Sequence, residues 1–315
     1  MSTFDKLMHA SRPFLTDGGF ETWLFFQQGF EAPEFAAITL IDDLEAEAAM
    51  RRYFGEFLKL AEQAVSGFVL DTNSWRGCVS WAEKLGFGEQ ELLDLSRKSV
   101  RFAQSIRDEW QGRVDPILVN GVIGPCGDGY SPSDLPTAVE AQALHAPQIG
   151  VLAQAGVDMF SAITMTNVPE AVGIARAANE TGKPVVISFT LETDGTLPTG
   201  VTLRDAITAV DRETGSAPAY YMINCAHPDH FRDVVANGEP WTDRIGAVRA
   251  NASRLSHAEL DNAEVLDEGD PGEFGELHVE LARRLTKLRV VGGCCGTDMR
   301  HVSCVSRHLH AAIAA

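Results

Sequence analysis

Short apolar runs alternate with amphipathic segments along the whole chain. Eight runs are rich in β-branched and apolar residues, and each is followed by a polar loop and then by a helical pattern. Near-continuous apolar runs of this length are typical of strands in a parallel sheet that is buried on both faces. The predicted strands are residues 13–17, 67–73, 116–122, 157–164, 184–191, 220–225, 245–251 and 288–293.

The segments between the predicted strands carry the period of an amphipathic helix. In residues 44–64, Tyr53 and Phe57 fall on the same face as the other large apolar side chains. A later segment begins at Thr202, a residue type that caps helix N-termini, and stops at Gly215, a residue type that ends helices. Helices are therefore predicted between the strands.

Eight strands, each followed by a helix, predict an α/β protein with the (β/α)8 architecture of a TIM barrel. An open, doubly wound sheet is the alternative, but no G-x-G-x-x-G turn follows the first predicted strand. No linker, repeat or low-complexity block divides the chain. We therefore expect residues 1–315 to form a single barrel domain.

The charge of the chain argues against two classes of partner. The chain has 44 acidic and 26 basic residues, which gives a formal net charge of −18. A field of this sign repels nucleic acid and anionic membrane surfaces. No run approaches the roughly 18–20 apolar residues that a membrane span needs, and residues 1–14 lack the pattern of a signal peptide. We expect a cytoplasmic protein with neither partner, and the oligomeric state stays open.

Three of the six cysteines lie at the ends of predicted strands. Cys225 ends the sixth predicted strand, and Cys294 and Cys295 follow the eighth. A barrel carries its active site at the carboxyl ends of its strands, so these three thiols can face one point there. Three thiolates that leave one position open are a plausible catalytic zinc site, whereas core packing of free cysteines is the alternative. The six cysteines are too sparse for a disulfide scaffold, and they are residues 78, 126, 225, 294, 295 and 304.

The ligand type narrows the chemistry of such a site. Three anionic sulfurs already neutralise the charge of the metal, which makes it a poor Lewis acid towards water. A zinc ion in this setting suits a bound thiol, because it lowers the pKa of the thiol and leaves the sulfur nucleophilic. Alkyl transfer to sulfur is the chemistry that follows.

Five segments of the chain, in the same order, resemble the zinc-dependent homocysteine S-methyltransferases, which include the betaine- and S-methylmethionine-using enzymes. The resemblance runs across nearly the whole chain, and its cysteine motifs are specific. It implies a methyltransferase of methionine biosynthesis. The segments are "TDGGFET" (16–22), "NGVIGPCGDGY" (120–130), "SFTLETDGTLPTG" (188–200), "NCAHP" (224–228) and "GGCCGTD" (292–298).

The resemblance also implies what holds the metal and what reacts. Cys225, Cys294 and Cys295 correspond to the zinc ligands, and Asn224 would lie beside the metal. The zinc-bound thiol of homocysteine or a related acceptor would attack a methyl group on a sulfonium or quaternary ammonium donor. Alignment and deprotonation are then the main tasks of the protein.

The resemblance places further residues around the substrates. Asp17, Gly18 and Gly19 would line the site after the first strand, with Asp17 and Asn224 as the candidate catalytic residues. Cationic methyl donors favour aromatic faces. Since Trp23 and Trp75 follow the first and second strands, we expect them to form a cage for the donor.

Two departures from the family pattern concern the acceptor. Relatives commonly carry a Glu after the fourth strand, and Ile163 stands at that position here. After the seventh strand, Arg249 and Asn251 replace the usual residues, and Arg249 could bind a substrate carboxylate or pair with the acidic segment 257–276. We hypothesise a zinc-dependent thiol methyltransferase whose acceptor is homocysteine or a related thiol. The alternatives are a zinc- or thiol-binding barrel without turnover and a zinc-free barrel whose cysteines only pack.

The acidic segment 257–276 contains eight acidic residues and no Lys or Arg. Charge of one sign at this density is typical of a solvated surface. We expect a solvated loop between the seventh strand and the seventh helix.

Overall fold

Eight parallel strands close into a barrel in the order of the sequence. The computed structural model describes residues 2–133, 135–236 and 238–313. The last strand pairs with the first, with Phe14 opposite Val290, so the sheet has no free edge. The strands are β1 Phe14–Leu15, β2 Phe68–Asp71, β3 Ile117–Ile123, β4 Met159–Met165, β5 Val185–Phe189, β6 Tyr220–Asn224, β7 Ile245–Ala250 and β8 Val290–Gly293.

The closed parallel barrel confirms the predicted TIM-barrel fold, and each predicted strand overlaps an observed one. Five strands end one or two residues earlier than predicted, among them β1 and β6. β1 has only two residues, although Thr16 N–H still donates to the carbonyl of Val291 at 3.0 Å. β6 stops before Cys225, because that residue has φ +51°, a left-handed conformation that cannot continue a ladder.

Helices surround the barrel. Thr202 caps α8 by accepting a hydrogen bond from Asp205 N–H, and Gly215 ends it with φ +63°, as the sequence predicts. The α-helices are α1 Thr3–Met8, α2 Phe20–Thr22, α3 Leu44–Ala64, α4 Ala82–Leu85, α5 Glu89–Trp110, α6 Ala138–Ala155, α7 Val168–Glu180, α8 Leu203–Thr214, α9 Pro228–Phe231, α10 His257–Asp261, α11 Pro271–Arg284 and α12 Met299–Ile313. A π-helical turn covers Trp23–Gln27, and 3-10 turns cover Pro33–Phe35, Ala37–Leu40, Val79–Trp81 and Pro240–Arg244.

Apolar side chains fill the inside of the barrel. Phe14, Leu118 and Met159 belong to this inner cluster, and Leu7 of α1 joins it with no exposed surface. Helix α1 packs against this cluster, and a filled interior leaves no pore through the barrel. The inner core and α1 therefore support the carboxyl ends of the strands from below.

The acidic segment differs from its prediction. It contains α10 and the start of α11. Leu260 of α10 lines a cavity at the barrel mouth, together with Leu266 and Asp267 from the stretch between the two helices. The prediction of a wholly solvated loop is therefore wrong, because the apolar residues among the acids pack over the barrel mouth. Among the described residues, no helix is long and apolar enough to cross a membrane.

We expect Asp43→Ala to lower the free energy of unfolding by about 1 kcal/mol, the usual value of an N-cap. Asp43 Oδ1 accepts hydrogen bonds from Glu45 N–H at 2.8 Å and from Ala46 N–H at 2.9 Å at the start of α3. Urea unfolding would measure the loss. The neighbouring Asp42→Ala is the control, since Asp42 makes an exposed ion pair with Lys98 and such pairs contribute little to stability. Equal losses in both variants would contradict the capping role.

Candidate active site and metal centre

A cavity of about 450 Å³ opens at the carboxyl ends of the strands. Its wall includes residues that directly follow or end several strands, among them Asp17, Asp71, Cys225 and Arg249. This is the face at which barrel enzymes carry their active sites. The cavity is therefore the candidate site, and it contains the sequence-predicted cysteines.

The sulfur atoms of Cys225, Cys294 and Cys295 meet in this cavity. Their sulfur atoms all lie within 4.8 Å of one another, and the Sγ atoms of Cys225 and Cys295 are 3.8 Å apart. Cys225 and Cys294 are joined as a disulfide, with their Cα atoms 5.4 Å apart. The barrel thus brings the three predicted ligands to one point.

The local backbone explains how two adjacent cysteines reach the same place. Cys294 N–H donates to the carbonyl of Ala250 at 2.8 Å, which holds it at the end of β8. The chain then turns, with Thr297 N–H donating to Cys294 O at 3.1 Å and Gly296 at φ +77°. A side chain at Gly293 would collide with Thr297, so glycine is required there.

The donor set fits a thiophilic divalent metal. In a tetrahedral zinc site with Zn–S bonds near 2.3 Å, neighbouring sulfurs are about 3.8 Å apart. The Cys225–Cys295 separation has this value, whereas Cys294 has to part from Cys225 in the reduced state. Three ligands leave a fourth position for a substrate sulfur.

Two hydrogen-bond donors point at the sulfur atoms. Asn224 Nδ2 lies 3.8 Å from Cys294 Sγ, and the Tyr130 hydroxyl lies 3.6 Å from Cys295 Sγ. Asn224 is held in place because Thr164 N–H donates to its Oδ1 at 3.0 Å. Burial raises the pKa of the Cys295 thiol, so these donors matter most when the sulfur is deprotonated.

Arg249 lies in a buried ion-pair network below the thiols. Its Nη2 donates to Asp17 Oδ1 at 2.6 Å, its Nη1 to Asp71 and its Nε to Gly293 O at 3.1 Å. Burial raises the pKa of Asp17 to about 6, against the opposing effect of Arg249. The guanidinium is thus committed to two carboxylates. This corrects the expectation that it pairs with segment 257–276 or stays free for a substrate carboxylate.

Gly18 and Gly19 line the cavity and pack against the cysteine loop. A Cβ at Gly18 would come within 2.8 Å of the Thr297 carbonyl oxygen, and a Cβ at Gly19 would collide with the carbonyl of Cys294. Glycines are therefore needed for the close approach of the two loops.

The two predicted cage residues do not lie together. Trp75 lines the cavity and its Nε1 donates to the Ile163 carbonyl at 3.3 Å, with the Arg76 guanidinium 4.0 Å from its ring centroid. Trp23 packs on Tyr53, with ring centroids 4.7 Å apart, and is absent from the described residues that line the cavity. The Ile163 side chain is buried in the cavity wall and brings no charge.

The sequence reasoning gave no role to several polar residues of the cavity, among them Glu21, Asp71 and Tyr130. Asp71 ends β2, so the strand-end rule could have found it. Tyr130 closes a glycine-rich loop after β3. Glu21 follows the D-G-G turn, and burial raises its pKa to about 7.

The sequence profile of the homocysteine S-methyltransferase family matches residues 14–309. Homocysteine S-methyltransferase 1 of Brassica oleracea var. italica is 24% identical over 318 residues, which cover 94% of this chain and 93% of that protein. Homocysteine S-methyltransferase 1 of Arabidopsis thaliana is 24% identical over 319 residues, with the same coverage.

Solved structures show the same fold. The oxidised form of the homocysteine methyltransferase MmuM from Escherichia coli superposes with a TM-score of 0.76 at 20% identity, over 98% of this chain and 99% of that one. Its metallated form gives a TM-score of 0.73 at 20% identity, over 97% and 99%. With the profile match over most of its length, the chain is an S-methyltransferase that belongs to the homocysteine S-methyltransferase family.

Proposed function

We propose that the protein transfers a methyl group from a sulfonium or quaternary ammonium donor to the thiol of homocysteine or a closely related amino acid, at a zinc ion held by Cys225, Cys294 and Cys295. The convergence of three thiols within 4.8 Å at the barrel mouth carries this proposal. The family membership supports the transfer to sulfur, and the donor set supports zinc.

A bound zinc ion would lower the pKa of the acceptor thiol. The chain supplies the rest. Asn224 Nδ2 and the Tyr130 hydroxyl donate towards the sulfurs of Cys294 and Cys295, which moderates the negative charge of the thiolates. The Arg249–Asp17 pair holds the loop after β1 against β7, so the floor of the cavity is rigid.

The donor side of the cavity has aromatic walls. Trp75, Phe26 and Tyr130 all line it. The Arg76 guanidinium lies 4.0 Å from the centroid of the Trp75 ring, and the attraction between a cation and an aromatic ring in this contact supports a similar contact with a cationic donor. We therefore keep Trp75 as the proposed donor contact and leave Trp23 out, since it packs on Tyr53.

The acceptor side needs a carboxylate to hold an ammonium group, and Ile163 cannot provide one. Glu21 can, because it lines the same cavity and carries a carboxylate. An ammonium group beside it would favour the charged carboxylate and lower its raised pKa. Glu21 thus restores in the loop after β1 the charge that is missing after β4.

Cys225→Ser should bind one zinc ion fewer per chain than wild type and lose methyl transfer by more than about 100-fold. Changes around metal ligands already cost 10–100-fold, and removing a ligand costs more. Metal content by mass spectrometry and an assay of methylated thiol would measure both effects. The control is Cys304→Ser, a buried cysteine on α12 whose sulfur contacts Arg307. Full zinc content in Cys225→Ser would overturn the ligand assignment.

Glu21→Gln should raise the KM for homocysteine roughly 10- to 100-fold and leave kcat and zinc content unchanged, because a charge-assisted hydrogen bond is lost. The difference from wild type should widen between pH 6 and pH 8, since the Glu21 pKa of about 7 leaves the carboxyl partly protonated at the lower pH. Steady-state kinetics across this range would test both effects.

The matched control for that experiment is Glu31→Gln, which removes an exposed carboxylate from a nearby loop. It should leave the KM at the wild-type value. A KM that is unchanged in Glu21→Gln at every pH would contradict the assignment of Glu21 to the ammonium group. The proposal of methyl transfer would still stand.

A further inference from the structure

A second cluster of metal-binding side chains lies behind the loop that follows β3. The ligand atoms of Cys126, His145 and Glu170 all lie within 4.8 Å of one another. His145 is completely buried and Glu170 is 2% exposed. Cys78 is also completely buried, and the Ser80 hydroxyl lies 3.3 Å from its Sγ and 2.9 Å from the carbonyl oxygen of Cys126. None of these residues lines the main cavity, and the methyl transfer proposed above uses none of them.

The contacts of the cluster bring the ligand atoms to one point. His145 Nε2 lies 2.9 Å from Glu170 Oε1, and the backbone N–H of Cys126 donates to the same oxygen at 2.6 Å. Asn167 Nδ2 donates to the other carboxylate oxygen at 3.2 Å. The carboxylate is therefore fixed in orientation before any ligand arrives.

Two features of the cluster are unusual for ordinary core packing. Cysteines from two separate loops lie close together, since the Ser80 hydroxyl contacts both the Cys78 sulfur and the Cys126 carbonyl, and Cys126 meets His145 and Glu170. His145 Nδ1 is also buried without a hydrogen-bond partner. A buried polar atom without a hydrogen-bond partner costs free energy, and such atoms are rare in native proteins. A bound ligand at this atom would remove the cost.

We propose that Cys126, His145 and Glu170, with Cys78 as fourth ligand, form a second metal site for zinc or a similar thiophilic divalent cation. Thiolate, imidazole and carboxylate are the ligands that zinc takes in proteins, and four protein ligands make a closed, structural site. On binding, the thiols and the imidazole release their protons to solvent, and the cation compensates the buried negative charge.

The position of the ligands in the fold indicates what the metal does. Cys78 follows β2, Cys126 lies between β3 and α6, His145 is on α6 and Glu170 is in the first turn of α7. One ion would tie these four segments together. The loop that carries Cys126 continues to Tyr130, whose hydroxyl reaches Cys295 in the main cavity. The second metal ion therefore fixes the loop whose Tyr130 hydroxyl donates a hydrogen bond to Cys295 at the first site.

The test is zinc stoichiometry in the full-length protein after loading and dialysis. Wild type should hold two zinc ions per chain, Cys225→Ser one, Cys126→Ala one, and the double variant none. A wild-type protein with one zinc that Cys225→Ser removes entirely would overturn the second site and leave the proposed function intact. Two ions that persist in Cys126→Ala and in His145→Gln would also overturn it.

A second measurement avoids variants of the cluster itself, which could fail to fold. In Cys225→Ser/Cys294→Ser, the main site is disabled and the second cluster is native. Added Co²⁺ should give a thiolate-to-cobalt charge-transfer absorption in the near ultraviolet with one cobalt per chain. Loss of this absorption on adding Cys126→Ala would support the assignment. A cobalt titration of the first variant without charge-transfer absorption would refute it.

Discussion

The arrangement of the site depends on one buried ion-pair network, in which Arg249 of β7 bonds to Asp17 after β1, to Asp71 at the end of β2 and to the carbonyl of Gly293 in β8. These contacts join four strand ends directly below the thiols. Breaking a buried pair on one side leaves an uncompensated charge and costs about 3–5 kcal/mol. The network therefore holds the cysteine loop in register with Cys225 while the cavity above it stays open.

The barrel and the meeting of the cysteines could be predicted from the sequence, since apolar periodicity marks the strands and the carboxyl-end rule places Cys225 and Cys294 on one face. The partners of Arg249 could not, because Asp17 and Asp71 are 232 and 178 positions away in sequence. Pairing over such distances is set by barrel closure.

Predictions from local sequence patterns were also wrong where tertiary packing determines the direction of a side chain. Trp23 follows a strand end, as a donor-cage residue should, yet the π-helical turn at Trp23–Gln27 directs it onto Tyr53 of α3. Glu21, two residues earlier, faces the cavity instead. Two groups of side chains with metal-binding atoms meet in the described residues: Cys225, Cys294 and Cys295 in the cavity, and Cys126, His145 and Glu170 behind the β3 loop.

The most direct measurement is a single-turnover reaction of the zinc-loaded protein with homocysteine and S-methylmethionine whose sulfonium methyl groups are deuterated, followed by mass spectrometry of the products. We expect deuterated methionine in an amount close to that of the enzyme, and none when a chelator has removed the zinc. The central claim would be contradicted if the zinc-loaded protein transferred no label to homocysteine or to a related thiol, from this sulfonium donor or from labelled betaine.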